Sequence, residues 1–383
     1  RTTPDRESVV LPVTGMTCAS CARLIEWKVG RLDGVRSARV GIATETLHVD
    51  FDPALLGTGQ IVACWLRIKD PAFTGTITTT DQLPQFYRLF EVVSSVFNPV
   101  TQSWGPITVI TDDFSNDTNL RLVSDGSGKL LLSWHSNPNG GFDGDAASPS
   151  TLKYSFWNVD SWSPVGVIAS GLVGAGRHSA AVKGNAAAVV LPLDPDLNTP
   201  NNSLLLTYIW NGSSWSSGSI FASSAVDNLA PSIRYSPSGV IRVVWLRGTD
   251  LVEATLDDPS PVVVRSNSTA NVFSDMRIVS NSNGKAVLFW EDTANQGPAN
   301  IFVKYFDPSS GTWGQDILLH AQEAMASASS GILDDSSILK ICYLSTVVSR
   351  TTTTATINGE LVEIPNVPVL GQTDIRIHQQ GDR

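Results

Sequence analysis

Val9-Val10-Leu11-Pro12-Val13 is followed at once by Gly15-Met16-Thr17-Cys18-Ala19-Ser20-Cys21, and this passage decides how the first part of the chain reads. The apolar run suits a strand, and the Gly-Met-Thr segment suits a turn. Beyond it, Ala22, Ile25, Val29 and Leu32 recur at helical spacing, and Gly34 stands where a helix C-terminus favours glycine. Ala38, Val40 and Ile42 then alternate, as do Leu47, Val49 and Phe51. That pattern predicts two strands joined through Thr44-Glu45 and closed by Asp52-Pro53. Leu55 to Ile68 reads as a second helix, with Ile61, Trp65 and Ile68 on one face, and the Thr-rich stretch Thr76 to Thr80 as a closing strand. The order is β-α-β-β-α-β, a ferredoxin-like α+β domain.

The chemistry in this passage belongs to Cys18 and Cys21. Thiolates are soft ligands that suit Cu(I) or Zn(II) rather than Mg or Ca. Cys18 falls in the loop and Cys21 in the first helical turn, where free backbone N–H groups and the helix dipole lower a thiol pKa. A redox C-x-x-C of the thioredoxin kind wants a Gly-Pro between its cysteines, which is absent here. A structural zinc site wants four ligands, and only His48 stands nearby.

Gly15 to Cys21 resembles the metal-binding loop of heavy-metal-associated domains, which occur as copper metallochaperones and at the N-termini of heavy-metal P-type ATPases. The resemblance runs over about residues 9–73 and includes Gly34-Val35, Ala43-Thr44-Glu45 and Asp52-Pro53. It implies Cu(I) between Cys18 and Cys21, with Zn(II) or another soft divalent ion as the other choice. It further implies loop support from Met16, Thr17 and Phe73, and transfer to a partner with its own C-x-x-C. At Lys69-Asp70-Pro71-Ala72-Phe73 the pattern slips by three residues, and Ala72 replaces the family's glycine.

From about Phe86 the helical period gives way to a repeat. Apolar strands ending in an aromatic or Leu recur at Lys129–Trp134, Ala186–Leu191, Val240–Trp245, Lys285–Trp290 and Ile338–Tyr343, their ends 45 to 57 residues apart. Outer hairpins close on tryptophan at Tyr154…Trp162, Tyr208…Trp215 and Tyr305…Trp313, and more loosely before Trp104. Each unit starts on a strand of the form seen at Leu120-Arg121-Leu122, Ile233-Arg234-Tyr235, Met276-Arg277-Ile278 and Ile375-Arg376-Ile377. A period near 50 residues with four short strands predicts a β-propeller of about six blades. Phe86 to Asp112 would supply outer strands of one blade and Asp374 to His378 its first strand. The expected organisation is a metal domain over 1–74, a linker over 75–85 and the propeller over 86–383.

Charge changes at the same place. Residues 1–74 hold nine Lys/Arg against eight Asp/Glu, whereas the remainder holds 17 against 28. An acidic body poor in Lys and Arg cannot form a phosphate-binding stripe, which argues against nucleic acid. No run of 18 apolar residues is present, so no helix is expected to span a membrane. The sequence starts at Arg1 without a leader-like segment and reads as a processed product or a piece of something longer. Reduced thiols suit a cytoplasmic setting, while a Trp/Ser/Asn-rich propeller suits the periplasm or exterior.

Candidate chemistry in the propeller is thinner. Arg121, Arg234, Arg277 and Arg376 occupy equivalent places in the repeat and are candidates for binding an anion, as in sialidases, whose Asp-box survives only in fragments such as Ser310-Gly311-Thr312-Trp313. Asp194, Asp196, Asn198 and Asn202 have partial calcium-loop spacing, but Thr199 stands where a glycine belongs, so calcium is not expected. His135, His178, His320 and His378 show no metal-ligand spacing, and no catalytic constellation emerges. Cys64 and Cys342 read as small buried hydrophobes. Two functions remain open: a Cu(I) binder with the propeller as an interaction module, or an extracellular glycan- or protein-binding propeller with an incidental or chimeric metal-binding N-terminus. A sialidase-like hydrolase is a lesser form of the second.

Overall fold

The computed structural model describes residues 7–12, 23, 25–27, 29, 35–41, 46–51, 61–69, 79, 82–98, 101–125, 128–158, 161–195, 202–269, 276–281, 283–292, 299–319, 324–334, 336–357 and 360–381. The chain divides into two compact units, Arg1–Asp117 and Thr118–Arg383.

The first unit opens with β1 (Glu7–Pro12), β2 (Val35–Gly41) and β3 (Thr46–Phe51), in the antiparallel order β1-β3-β2. This is the order a ferredoxin-like sheet requires of its first three strands. Alternation sets the buried face: Leu47 and Val49 are buried while His48 between them is exposed. Ile25 and Val29, one helical turn apart, pack on Leu47 and Val49 with Val35, Ala38 and Val40. The Glu26 carboxylate accepts from the Val40 N–H at 2.6 Å, tying that helical segment to β2.

A strand takes the place of the expected second helix. Ile61–Ile68 is extended and paired residue for residue with Phe90–Asn98, from Ile61↔Phe97 to Ile68↔Phe90. Ile61, Trp65 and Ile68 do have helical spacing, but the Ile-Val start and an apolar partner strand favour the extended form. The ladder is braced by the Arg67 guanidinium on the buried Glu91 carboxylate. Ile61, Phe97 and Trp104 pack in the same cluster as Leu47 and Val49. This ladder spans the segment 75–85, the expected linker, and a short helix, Leu83–Tyr87, lies within its connection. The expected closing strand at Thr76 to Thr80 lies outside the described residues apart from Thr79.

The remaining described residues are mostly β and form six blade-like sheets, the first in the first unit and the five that follow forming β-propeller blades of the second. Blade I is the pair just described with Ser103–Trp104 and Thr108–Val109. Blade II comprises Asn116–Ser124, Leu130–Asn137 and Ser150–Asn158, with Ser161–Trp162 and Gly166–Leu172 at its edge. Blade III runs Ser179–Lys183, Ala186–Leu193, Leu204–Trp210, Ser219–Ala222, and blade IV runs Asn228–Tyr235, Ile241–Arg247, Asp250–Thr255, Val262–Arg265. Blade V has Arg277–Ser280, Ala286–Asp292 and Asn300–Asp307 with short edge strands at Thr312–Trp313 and Ile317–Leu318. Blade VI has Ala324–Leu333, Ile338–Ile357 and Glu360–Gly381.

The repeated apolar runs are the second strands of blades II to VI, and their terminal Trp134, Trp245 and Trp290 are almost wholly buried. Between consecutive blades from II to VI lie four apolar clusters, so each blade needs its neighbours to bury its faces. The outer hairpins close as expected, by Trp157↔Trp162 and Phe306↔Trp313, by the Trp210↔Trp215 bridge, and by Phe97↔Trp104 in blade I. Tyr154 and Tyr208 lie so close to Gly166 and Gly218 that a Cβ at either glycine would strike the ring.

One assignment fails. Asp374 to His378 is not a first strand of blade I: it lies in Glu360–Gly381, paired with Ile341 to Ser345 of blade VI. Ile-Arg-Ile alternation fits any half-buried strand, so its likeness to the other first strands is local. The first strands of blades II to VI do converge, and together they line one cavity of about 180 Å³, the central channel of this unit.

Candidate functional site

Met16, Thr17, Cys18, Cys21 and Phe73, the candidate metal-loop residues, lie outside the described residues. Their surroundings are described: β1 ends at Pro12, four residues before Met16, and Arg23, two residues after Cys21, is helical. The segment that holds both cysteines therefore lies between a strand and a helical residue. Cys64 is different in kind. It lies in the Ile61–Ile68 strand, and burial pushes its thiol up to about 12, so it remains protonated and a poor ligand at neutral pH. Cys342 is buried in blade VI opposite Ile377. Among the described residues, no group of three or more His, Cys, Asp or Glu side chains is placed to hold a metal ion.

The four candidate arginines separate. Arg121 and Arg277 line the channel cavity on the first strands of blades II and V. Arg177, which sequence spacing does not single out, lines it too, with Ser179, Ser232 and Met276. The Arg121 Nε donates to the His178 carbonyl at 3.2 Å, which fixes the base of its side chain. Arg234 is 6% exposed and is not among the lining residues. Arg376 stands exposed on the third strand of blade VI, opposite Tyr343 and with Asp374 at 4.0 Å, so it is not part of the channel set.

Two histidines that share no repeat position meet between blades II and III. The His135 and His178 rings lie 5.0 Å apart, both almost completely buried, and Ser133 Oγ bonds His178 Nε2 at 2.8 Å. Burial, aided by Arg121, pushes His135 down to about 4, and burial with His135 and Arg121 holds His178 well below its ordinary value. Both imidazoles are neutral at physiological pH. The stretch Asp194 to Asn202 is described only in part, and its candidate calcium oxygens on Asp196 and Asn198 lie outside it.

Residues 10–63 match the family model of the heavy-metal-associated domain, so the chain carries such a domain at its N-terminal end. Over 57 residues this region is 46% identical to a copper-exporting P-type ATPase of Bacillus subtilis (strain 168), covering 15% of this chain and 7% of that protein. It is 54% identical over 50 residues to a probable copper-exporting P-type ATPase of Archaeoglobus fulgidus, covering 13% of this chain and 6% of that one. The chain thus spans a small fraction of the curated relatives it matches. By structure, 75% of the chain superposes on 61% of a Hadza microbial sialidase at 11% identity and TM-score 0.48. A further 74% coverage, on 87% of a fucose-specific lectin from Aleuria aurantia, has 12% identity and TM-score 0.42.

Proposed function

We propose that this protein binds one Cu(I) ion between the thiolates of Cys18 and Cys21, exchanges it with a partner that presents its own C-x-x-C, and uses the propeller as a docking module. The observation that carries the reading is the metal-loop motif inside a matched heavy-metal-associated domain, whose relatives are named as copper exporters. Two thiolates satisfy a monovalent soft ion without further ligands, and a two-coordinate ion stays open to an incoming thiol. In this reading Met16, Thr17 and Phe73 are loop-support residues rather than ligands, as the family resemblance implies. Zn(II) is the weaker fit, since it wants four ligands. The test is anaerobic competition with a Cu(I) chelator on the full chain. Cys18→Ser and Cys21→Ser each remove one of two ligands, so retention falls by at least about 100-fold; Cys64→Ser leaves it unchanged. Retention of one copper by the Cys18/Cys21 double variant refutes the proposal.

A second reading rests on the channel. Arg121, Arg177 and Arg277 converge on a cavity of about 180 Å³, which suits a carboxylate-bearing glycan or peptide. Calorimetric titration with glucuronate tests it: Arg277→Ala weakens binding about tenfold if the guanidinium contacts the ligand. Equal binding by both proteins removes this reading.

A further inference from the structure

Arg234 breaks two rules of sheet design at once. It stands directly opposite Arg242 in the ladder between the first two strands of blade IV, and like charges in that position repel. It is also buried, 6% exposed, and its Nε, Nη1 and Nη2 have no hydrogen-bond partner among the described residues. Glu253, the carboxylate that acts on it among the described residues, is fully engaged. Glu253 Oε1 accepts from Arg242 Nη1 at 2.8 Å, and Glu253 Oε2 from Trp313 Nε1 at 2.7 Å. Arg242 is further held over the Phe306 ring, 4.2 Å from its centroid. Among the described residues, two guanidinium groups against one carboxylate leave a charge of plus one. Burial first, and Arg242 second, lower the Arg234 pKa to about 10, with Glu253 opposing. The group is still a cation at neutral pH, and an isolated buried cation with unmet donors is among the costliest arrangements a fold can hold.

We propose that Arg234 binds a small monovalent anion, chloride or a simple carboxylate, in the wall of the channel beside blade IV. One negative charge neutralises the cluster, whereas a divalent anion would leave it charged again. The guanidinium fork offers donors in the geometry an anion needs. Ser232 and Ile233, the residues just before Arg234 in the strand, line the channel cavity. The site is distinct from the Arg121, Arg177 and Arg277 lining and does not depend on that lining binding a ligand.

The experiment is thermal unfolding of the full chain at constant ionic strength, with gluconate replaced by chloride in one series and by formate in another. It is run in an Arg121→Met/Arg177→Met/Arg277→Met background, so that the channel arginines cannot supply the effect. The melting temperature rises by about 2 °C as the small anion saturates the site, for either anion. Arg234→Met in the same background abolishes the rise. If that variant does not fold, Arg234→Lys serves, since it keeps the charge but not the fork, and the anion then acts at least about tenfold more weakly. Chloride-35 line broadening on the same proteins reads binding directly. No anion dependence in the background protein means that water holds the guanidinium and overturns the proposal. So does an undiminished dependence after Arg234→Lys or Arg234→Met.

Discussion

The metal module and the propeller distribute their information in opposite ways. In the module, the proposed chemistry lies in seven contiguous residues, Gly15 to Cys21, and three strands of the same unit form its described sheet. In the propeller, the recurring residues carry the fold, and the unusual chemistry lies where the repeat is broken. Trp134, Trp245 and Trp290 recur and are core. His135 and His178, which are buried with unmet polar atoms, sit at departures from it, and Arg234, at a repeat position shared with Arg121 and Arg277, departs from them by being buried. A residue that recurs blade after blade is explained by packing, whereas a buried polar group that appears once needs a cause of its own.

The contrast breaks if a repeat residue can be removed cheaply. Trp290 is 1% exposed in the cluster between blades IV and V, and its Nε1 donates to Asp292 at 3.2 Å. Trp290→Ala therefore costs about 3–5 kcal/mol in urea unfolding, whereas Cys18→Ser leaves the unfolding midpoint where it was. A loss below about 1 kcal/mol for Trp290→Ala would show that the blades do not depend on this packing.

A pH series sharpens the comparison next. The folded His135 pKa, about 4, lies below the unfolded value, 6.5, so the folded state binds fewer protons in between. Its contribution is fully present above pH 6.5 and is lost as pH falls toward 4, about 3 kcal/mol over that window. His178 shifts in the same direction and adds to the loss. Melting temperature against pH should fall steeply below 6.5, and His135→Leu should flatten the curve. A variant with the same slope as the parent excludes His135 as the source.

The glycines beneath the outer tyrosines give a smaller effect. A Cβ at Gly166 meets the Tyr154 ring, so Gly166→Ala forces a shift worth about 1–3 kcal/mol by urea unfolding. The smallest change is Met16→Leu. If the thioether only packs, copper retention is unchanged and stability moves by less than about 1.5 kcal/mol, read by chelator competition and urea unfolding together.

How much of this is legible in the sequence depends on how local each determinant is. The proposed metal loop is legible because a two-thiolate site would fit within four residues. The blades are legible because each second strand must end in a side chain large enough to fill the gap to its neighbour. Ile61 to Ile68 misleads because its apolar residues satisfy helical and extended periods together, and the decision rests with Phe90–Asn98, beyond any local window. Arg376 misleads because a strand's local pattern does not say which position in a blade it occupies. His135 and His178 are 43 residues apart on different blades, and only blade-to-blade packing joins them. Arg177 belongs to the channel through the same convergence of first strands.

X-ray absorption at the copper edge of the Cu(I)-loaded full chain tests the central claim most directly. The account predicts two sulfur ligands, a near-linear geometry and no nitrogen bound to the ion, lost altogether in the Cys18/Cys21→Ser double variant. A spectrum dominated by imidazole nitrogen, or one that survives the double substitution, would place the ion elsewhere and contradict the assignment of this module.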